Sequence, residues 1–273
     1  MNKHVCIAFC FCSLALTTSV KSAQLLCEAN SALQINTEQK NVVIPSTQIR
    51  EIIDKVDKLH RSKTSRADIE MEVKTAHWQR TLEMEVYTEG LDKTFINVKR
   101  PKREKDTKTL RIRNQMWNYL PKADKVMKIP PSMMMGSWMG SDFTNDDLVK
   151  ESTLVNDYIA QWFYPKNPST HCYYISLKPK KETISLWDKI ELIVDKKTLL
   201  PVKETYYDPR KGPMRVLTFR DVKKLGNRII PAIMEMKPVN KKSNTTVIRY
   251  IDAEFDIKLP KNTFTLQNLQ RIH

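Results

Sequence analysis

The side chains that could do chemistry are few in this sequence, and they are scattered. His60, His77, His171 and His273 lie far apart, and none has a partner at the short spacings that bring two metal ligands together. No glycine-rich phosphate loop, nucleophile elbow or CxxC motif occurs. The segment DFTNDD, residues 142–147, gathers carboxylates but lacks the glycine and closing glutamate of a calcium loop. Its TNDDL portion reads as the capped start of a helix, with Asp146 and Asp147 favourable in the first turn. These features predict a protein that is not an enzyme and carries neither a metal nor a cofactor.

The chemistry that does stand out is apolar. The stretch IPPSMMMGSWMGSDFTNDDL, residues 129–148, packs four methionines, a tryptophan and two of the five glycines into a glycine-poor chain. Methionine is unbranched and polarizable, so Met133, Met134, Met135 and Met139, with Trp138, Phe143 and Leu148, form a surface that can adapt to ligands of varied shape. Acyl chains suit it, because each buried methylene contributes about 0.8 kcal/mol without directional bonds. Gly136 and Gly140 would act as hinges for this segment. The plainer reading is that the same residues are core beneath a fixed loop. Trp117 and Tyr119, which alternate onto one strand face, suit a core or a cavity wall equally well.

The elements that must position this segment are one helix and many strands. STQIREIIDKVDKLH places Ile49, Ile52, Ile53, Val56 and Leu59 at spacings of three and four behind the caps Ser46 and Thr47, which predicts an amphipathic helix. Alternation by two follows in Ile69, Met71, Val73; in Leu82, Met84, Val86; in Leu110, Ile112; in Ile230, Ala232, Met234, Met236; and in Val247, Ile251, Ala253, Phe255, with Arg249 out of pattern. TEGLD, LPKADK, VDKKT, DPRKGP and LGNR mark turns, the last a two-residue hairpin at Gly226 and Asn227. The fold class predicted is a strongly curved antiparallel sheet that covers its apolar concave side with the N-terminal helix and the Met-rich segment. No internal repeat or linker argues for a second domain.

The N-terminus reads as an export signal: Lys3 and His4, then an uncharged run from Val5 to Val20, then the small residues Ser22 and Ala23. We divide the chain into a signal peptide over 1–23, an extension over 24–45 and a single domain over 46–273. Of five cysteines, Cys27 and Cys172 remain after the signal, and in an oxidising compartment they could form one disulfide. The formal charge of +15 is spread along the chain instead of forming one stripe, which disfavours nucleic acid and fits an anionic membrane surface or an acidic partner.

MGSDFTNDDL, with MWNYLPKADKVMKI before it, SRADIEMEVK near the start of the domain and LPKNTFTLQNL near its end, resembles the LolA-like outer-membrane lipoprotein-sorting proteins. The likeness is to periplasmic members with an MGSDF segment and runs roughly from Ser46 to Leu269. It implies an incomplete antiparallel β-barrel of about eleven strands, helices that form a lid over its mouth, and a hydrophobic cavity for acyl chains. It also implies that Arg100, in FINVKRP, latches the lid. A monomeric periplasmic carrier of lipoproteins or other lipids, collecting cargo from an inner-membrane RND-type transporter, is the function this resemblance implies; an envelope lipid sensor is the alternative.

Overall fold

The computed structural model describes residues 46–59, 62–149, 154–183 and 185–270. The export signal, the extension and Cys27 lie outside the described residues, as do His60 and His273. Helix α1 (Ser46–Lys58) precedes six strands, β1 (Thr64–Lys74), β2 (Gln79–Glu89), β3 (Lys93–Arg100), β4 (Lys108–Ile112), β5 (Gln115–Leu120) and β6 (Lys125–Lys128). A crossover follows that holds the short helices α2 (Asn145–Val149) and α3 (Leu154–Asp157). Seven further strands complete the sheet: β7 (Tyr158–Trp162), β8 (Cys172–Pro179), β9 (Lys189–Asp195), β10 (Pro201–Asp208), β11 (Gly212–Leu225), β12 (Arg228–Pro238) and β13 (Thr245–Phe255), with α4 (Leu266–Gln270) near the end of the chain.

All thirteen strands form one antiparallel sheet in the order β6-β5-β4-β3-β2-β1-β13-β12-β11-β10-β9-β8-β7. Thirteen replaces the expected eleven. The sheet remains open: β6 and β7 are its two edges, and the crossover between them runs from one edge to the other. Both edges are short, four and five residues, which limits the unpaired backbone they present.

Strand alternation sorts residues cleanly. On β1, Ala67, Ile69, Met71 and Val73 are buried on the concave face, opposite Val86, Met84 and Leu82 of β2. The convex face of the same strands is charged: Arg66 pairs with Glu85 and Asp68, and Arg249 with Glu70 and Glu72. The predicted pattern on β13 needs one correction. The pairing with β1 shifts register at Asp68/Ile69, so Ile248 and Tyr250 face inward before the irregularity and Ala253 and Phe255 after it. Ile251 stands at the shift and is exposed. A β-bulge adds one residue and flips the side-chain phase, which is why Arg249 falls out of the period-two pattern.

The helix predicted over the first residues forms, and Ile49, Ile52, Ile53 and Val56 bury against Tyr158, Ile175, Leu177, Ile190, Leu192 and Val194 of β7, β8 and β9. Its C-terminal carbonyls, those of Lys58 and Leu59, accept from Arg228 of β12. On the convex side, α4 buries Leu269 against Phe95, Leu110 and Tyr119. Cys172, buried at the start of β8, is disulfide-bonded, and the pairing expected with Cys27 falls outside the described residues.

The β11–β12 hairpin turns at Gly226, as the LGNR signal predicts, with φ of +54°. A Cβ there would stand 2.6 Å from the Ala253 carbonyl oxygen, whereas one at Gly90, with φ of +55°, would meet nothing within 4 Å. Gly90→Ala should cost only the left-handed backbone penalty, about 1–2 kcal/mol. Gly226→Ala should cost clearly more, because the backbone must move as well. Urea midpoints of the two variants measure the difference, and equal values would show that the close approach to Ala253 is unimportant.

Candidate functional site

Between the concave face, α1 and the crossover lies a cavity of about 400 Å³, within the ~300–1,000 Å³ range of small-ligand sites. Ile69, Val86, Ile96, Phe219, Met234 and Ile248 form its sheet wall. Val56 reaches it from α1, and Trp138, Phe143 and Leu148 close it from the crossover. A groove of about 740 Å³ on the outer side of α1 is larger; Arg50, Glu51, Asp54, Lys58 and Lys63 line it with Leu91 and Val155, and the Met-Trp segment does not reach it.

The crossover is a built lid. Pro130 and Pro131 end the path of β6 and start a turn of 3₁₀ helix, and a second such turn spans Trp138–Gly140. Met139 and Gly140 take left-handed backbone conformations, with φ of 48° and 69°. Thr144 caps α2 as the sequence predicts: its hydroxyl accepts from the Asp147 amide at 3.1 Å, while Asp147 accepts from the Thr144 amide at 2.8 Å. Asn145 donates from its side chain to the Met133 carbonyl at 3.0 Å, and the Asp146 amide to that of Met134 at 2.8 Å, which folds the methionine turn back on α2.

Four attachments hold this lid to the sheet. Trp138 is 3% exposed and donates its indole N–H to Thr109 of β4 at 3.3 Å. Arg80 of β2 donates to the Met139 carbonyl. Asp142 exchanges two hydrogen bonds with Thr246 of β13: its amide donates at 2.9 Å and its carboxylate accepts at 2.8 Å. The strongest attachment is a fork: Arg215 of β11 donates through Nη1 and Nη2 to the two oxygens of Asp147, at 2.7 and 2.5 Å. Its guanidinium also lies between the rings of Trp187 and Tyr206, 4.6 and 4.5 Å from their centroids.

This pair belongs to a polar cluster inside an otherwise apolar cavity, with Asp57, Glu204 and Tyr206 also in its wall. Burial works to raise the Asp147 carboxyl, but Arg215 and Thr144 overcome it and hold it below the ordinary carboxylate range. Glu204 behaves in the opposite way: burial raises it, despite the Tyr206 hydroxyl that donates to it. The folded state therefore binds the Glu204 proton more tightly than the unfolded chain. Its contribution to stability is present below the ordinary carboxylate value of about 4.3 and is lost as pH rises through the raised folded value. Glu204→Gln should thus be more stable than the parent at neutral pH, and the gap in Tm should narrow on acidification toward pH ~4. Melting curves across that range test it; a gap that widens on acidification would reverse the assignment.

The structure brings together only part of the predicted site. Trp138, Phe143 and Leu148 line the cavity, while Met134 and Met139 pack, half-buried, on the core cluster beside it. Met133 and Met135 instead point to solvent, 55% and 52% exposed. Trp117 and Tyr119 face the convex side, in the cluster with Phe95 and Leu110 under α4, so they are not cavity wall. Gly136 is locked in a turn by its own hydrogen bonds with Met133 and Asn145, and Gly140 alone of the two has a positive φ. Arg100 is 75% exposed and pairs with Glu83 at 3.5 Å on the sheet exterior, away from the lid. The side chain in the latch position is Arg215. A signal for it exists in the sequence: Arg215, Leu217 and Phe219 fall in one period-two phase, which puts an arginine on a buried face. Among the described residues no group of three His, Cys, Asp or Glu could hold a metal ion, and no helix is long and apolar enough to cross a membrane.

Comparison with known proteins places this geometry. A family model with the description of an uncharacterised protein matches residues 90–271, two thirds of the chain. The chain belongs to that family. Its LolA-like fold is shared with a DUF1329 family protein from Desulfovibrio piger, at 24% identity and a TM-score of 0.72 over 82% of this chain and 99% of that one. An outer membrane lipoprotein-sorting protein domain from Vibrio parahaemolyticus is 22% identical, with a TM-score of 0.70 over 83% of this chain and 100% of that one. A LolA superfamily protein from Nitrosomonas europaea follows at 15% identity and 0.66 over 81% and 98%. No match was found among the curated proteins.

Proposed function

We propose that the protein is a periplasmic carrier that takes the acyl chains of a lipoprotein or another lipid into the cavity beneath the lid. The observation that carries this reading is the cavity itself: apart from the Arg215 cluster its wall is aliphatic and aromatic, and one of its sides is a separate segment held by a few polar attachments. Chains bind such a wall through burial alone, at about 0.8 kcal/mol per methylene. Release then depends on the lid. A segment held mainly by one ion pair and four further hydrogen bonds can have open and closed states within a few kcal/mol of each other. The names of the Vibrio and Nitrosomonas proteins support the same role, and an inner-membrane RND-type transporter is the donor we expect for it.

Lipid extracted from protein purified out of its native envelope, followed by mass spectrometry, tests the reading directly, and displacement of a fluorescent fatty acid gives the affinity. Met234→Asp, which places a charge on the cavity wall, should weaken fatty-acid binding by at least ~100-fold with circular dichroism unchanged, since an unpaired charge beside an acyl chain costs several kcal/mol. No bound lipid and no fatty-acid binding in the parent would sink the carrier reading.

Asp147→Asn keeps the α2 cap but removes the charge from the Arg215 fork. Fatty-acid release should then quicken by on the order of tenfold, equivalent to about 1.4 kcal/mol of lost closed-state preference. Stopped-flow dilution measures it. An unchanged release rate would mean that the fork does not hold the lid against cargo.

A further inference from the structure

Strand direction divides the hairpins between the two ends of the sheet. The β1–β2, β3–β4, β5–β6, β8–β9, β10–β11 and β12–β13 turns all lie at one end. In sequence they carry KTAHW (74–78), KRPKREK (99–105), PKADK (121–125), KPKK (178–181), PRK (209–211) and KPVNKK (237–242). Each of these segments carries net positive charge, with Lys74, Lys125, Lys178 and Lys237 contributed by strand ends and the acidic Asp106, Glu182, Asp188 and Asp208 beside them. The hairpins of the opposite end carry GLD (90–92), RN (113–114), FYPKNPSTH (163–171), KKTL (196–199) and GN (226–227), which are mixed. The fold therefore gives this end the larger share of the basic turn residues, although the charge looks evenly spread along the sequence.

That end also bears the lid. Arg80, Arg215 and Thr246, which hold the crossover, are all within a few residues of its turns. The β1–β2 and β12–β13 turns enclose a cleft of about 430 Å³ lined by Lys74, Lys237 and Lys242 together with Ser243, Asn244 and Thr245. All three lysines are exposed, although Lys237 also reaches Glu235 at 2.7 Å. Trp78, on the same β1–β2 turn, is 43% exposed; the Arg80 guanidinium lies 5.4 Å from its ring centroid, and the ring borders the lid at Gly140. The lid adds the exposed Met133 and Met135.

We propose that this lid-bearing end docks on an anionic lipid bilayer, with the lysine cleft receiving a lipid phosphate and Trp78 entering the headgroup layer. The purpose rests on the carrier reading, since a carrier must present its lid to the membrane that supplies or receives its cargo. Charge decides for a bilayer over an acidic protein: basic residues recur at each hairpin along this end of the sheet, which matches a broad anionic surface, whereas a protein partner would select one side of it. Each lysine or arginine at such a surface strengthens binding, and salt weakens it. Tryptophan adds an amphipathic ring suited to the interface.

Co-sedimentation of the cargo-free protein with vesicles measures the docking without the cavity. Vesicles of phosphatidylcholine with phosphatidylglycerol added should bind it, and phosphatidylcholine alone should not. The binding should fall on going from ~0.15 M to ~1 M salt, as the screening length shrinks from ~8 Å to ~3 Å. Lys74→Glu with Lys242→Glu should weaken vesicle binding at least ~tenfold. Lys258→Glu with Lys261→Glu, exposed past the end of β13 on the opposite side, should leave it unchanged. A blue shift in tryptophan emission on binding should vanish in Trp78→Phe. Equal loss from both lysine pairs, binding indifferent to phosphatidylglycerol, or capture of an acidic protein without vesicle binding would each overturn the proposal. Fatty-acid binding should persist in the Lys74→Glu with Lys242→Glu variant, so failure of docking and failure of the carrier reading are read separately.

Discussion

A sheet that curls without closing has one apolar concavity and two free edges, and both must be dealt with by the chain that connects those edges. Here β6 and β7 are the edges, and the chain passes from one to the other. The connection cannot run along the sheet, because each strand position is taken, so it crosses the open side. The Met-Trp segment is therefore a cover by topology before it is a cover by composition. Trp138 supplies the burial that seats it, and the remaining residues are free to be adapted to whatever lies beneath. The same constraint explains why α1 packs where it does: β7, β8 and β9 lie farthest from the seated part of the lid, and their apolar face needs a second cover.

Holding the cover by an ion pair has a particular energetic meaning. Taking Arg215 and Asp147 out of water costs several kcal/mol for each ion, and their mutual attraction offsets this only when the geometry is as good as the bidentate fork seen here. The net gain in stability over a well-packed apolar contact is small. Separating the two charges while both stay buried is costly, whereas separating them into water is not. The pair thus tolerates a closed lid and a fully open, hydrated one, and disfavours states between. An apolar latch of equal size would slide through partial openings instead. The rings of Trp187 and Tyr206 flank the guanidinium from the sheet side, independently of Asp147.

Much of this was legible in the sequence. The helix face of Ile49, Ile52, Ile53 and Val56, the alternation of β1, β2 and β12, the LGNR hairpin and the Thr144 cap all follow from local patterns that the tertiary structure does not contradict. What failed has a single physical cause. Period two says that two residues share a face, but not which face, and a sheet covered on both sides has two apolar ones. Trp117 and Tyr119 share a face, and it is the one under α4. The bulge at Ile251 exchanges the faces within one strand, which no count of alternation reveals. Arg215 was hidden by the opposite error: a basic residue in a basic chain reads as surface unless its phase with Leu217 and Phe219 is followed.

The charge distribution shows most sharply what one dimension conceals. A sequence in which lysine and arginine recur every few residues suggests solvation and nothing more. An all-antiparallel meander lines up every second turn along one end of the sheet, so basic residues placed at alternate hairpins become a row in space. Because β1 pairs with β13, the row continues across the chain's two halves, and the β1–β2 and β12–β13 turns meet in the lysine cleft. The lid's attachments sit just inside that row. Any surface that attracts this row therefore lies against the lid. Electrostatic approach and the opening of the cavity are in this way placed at one end of one sheet, although the residues responsible come from almost every strand of the chain.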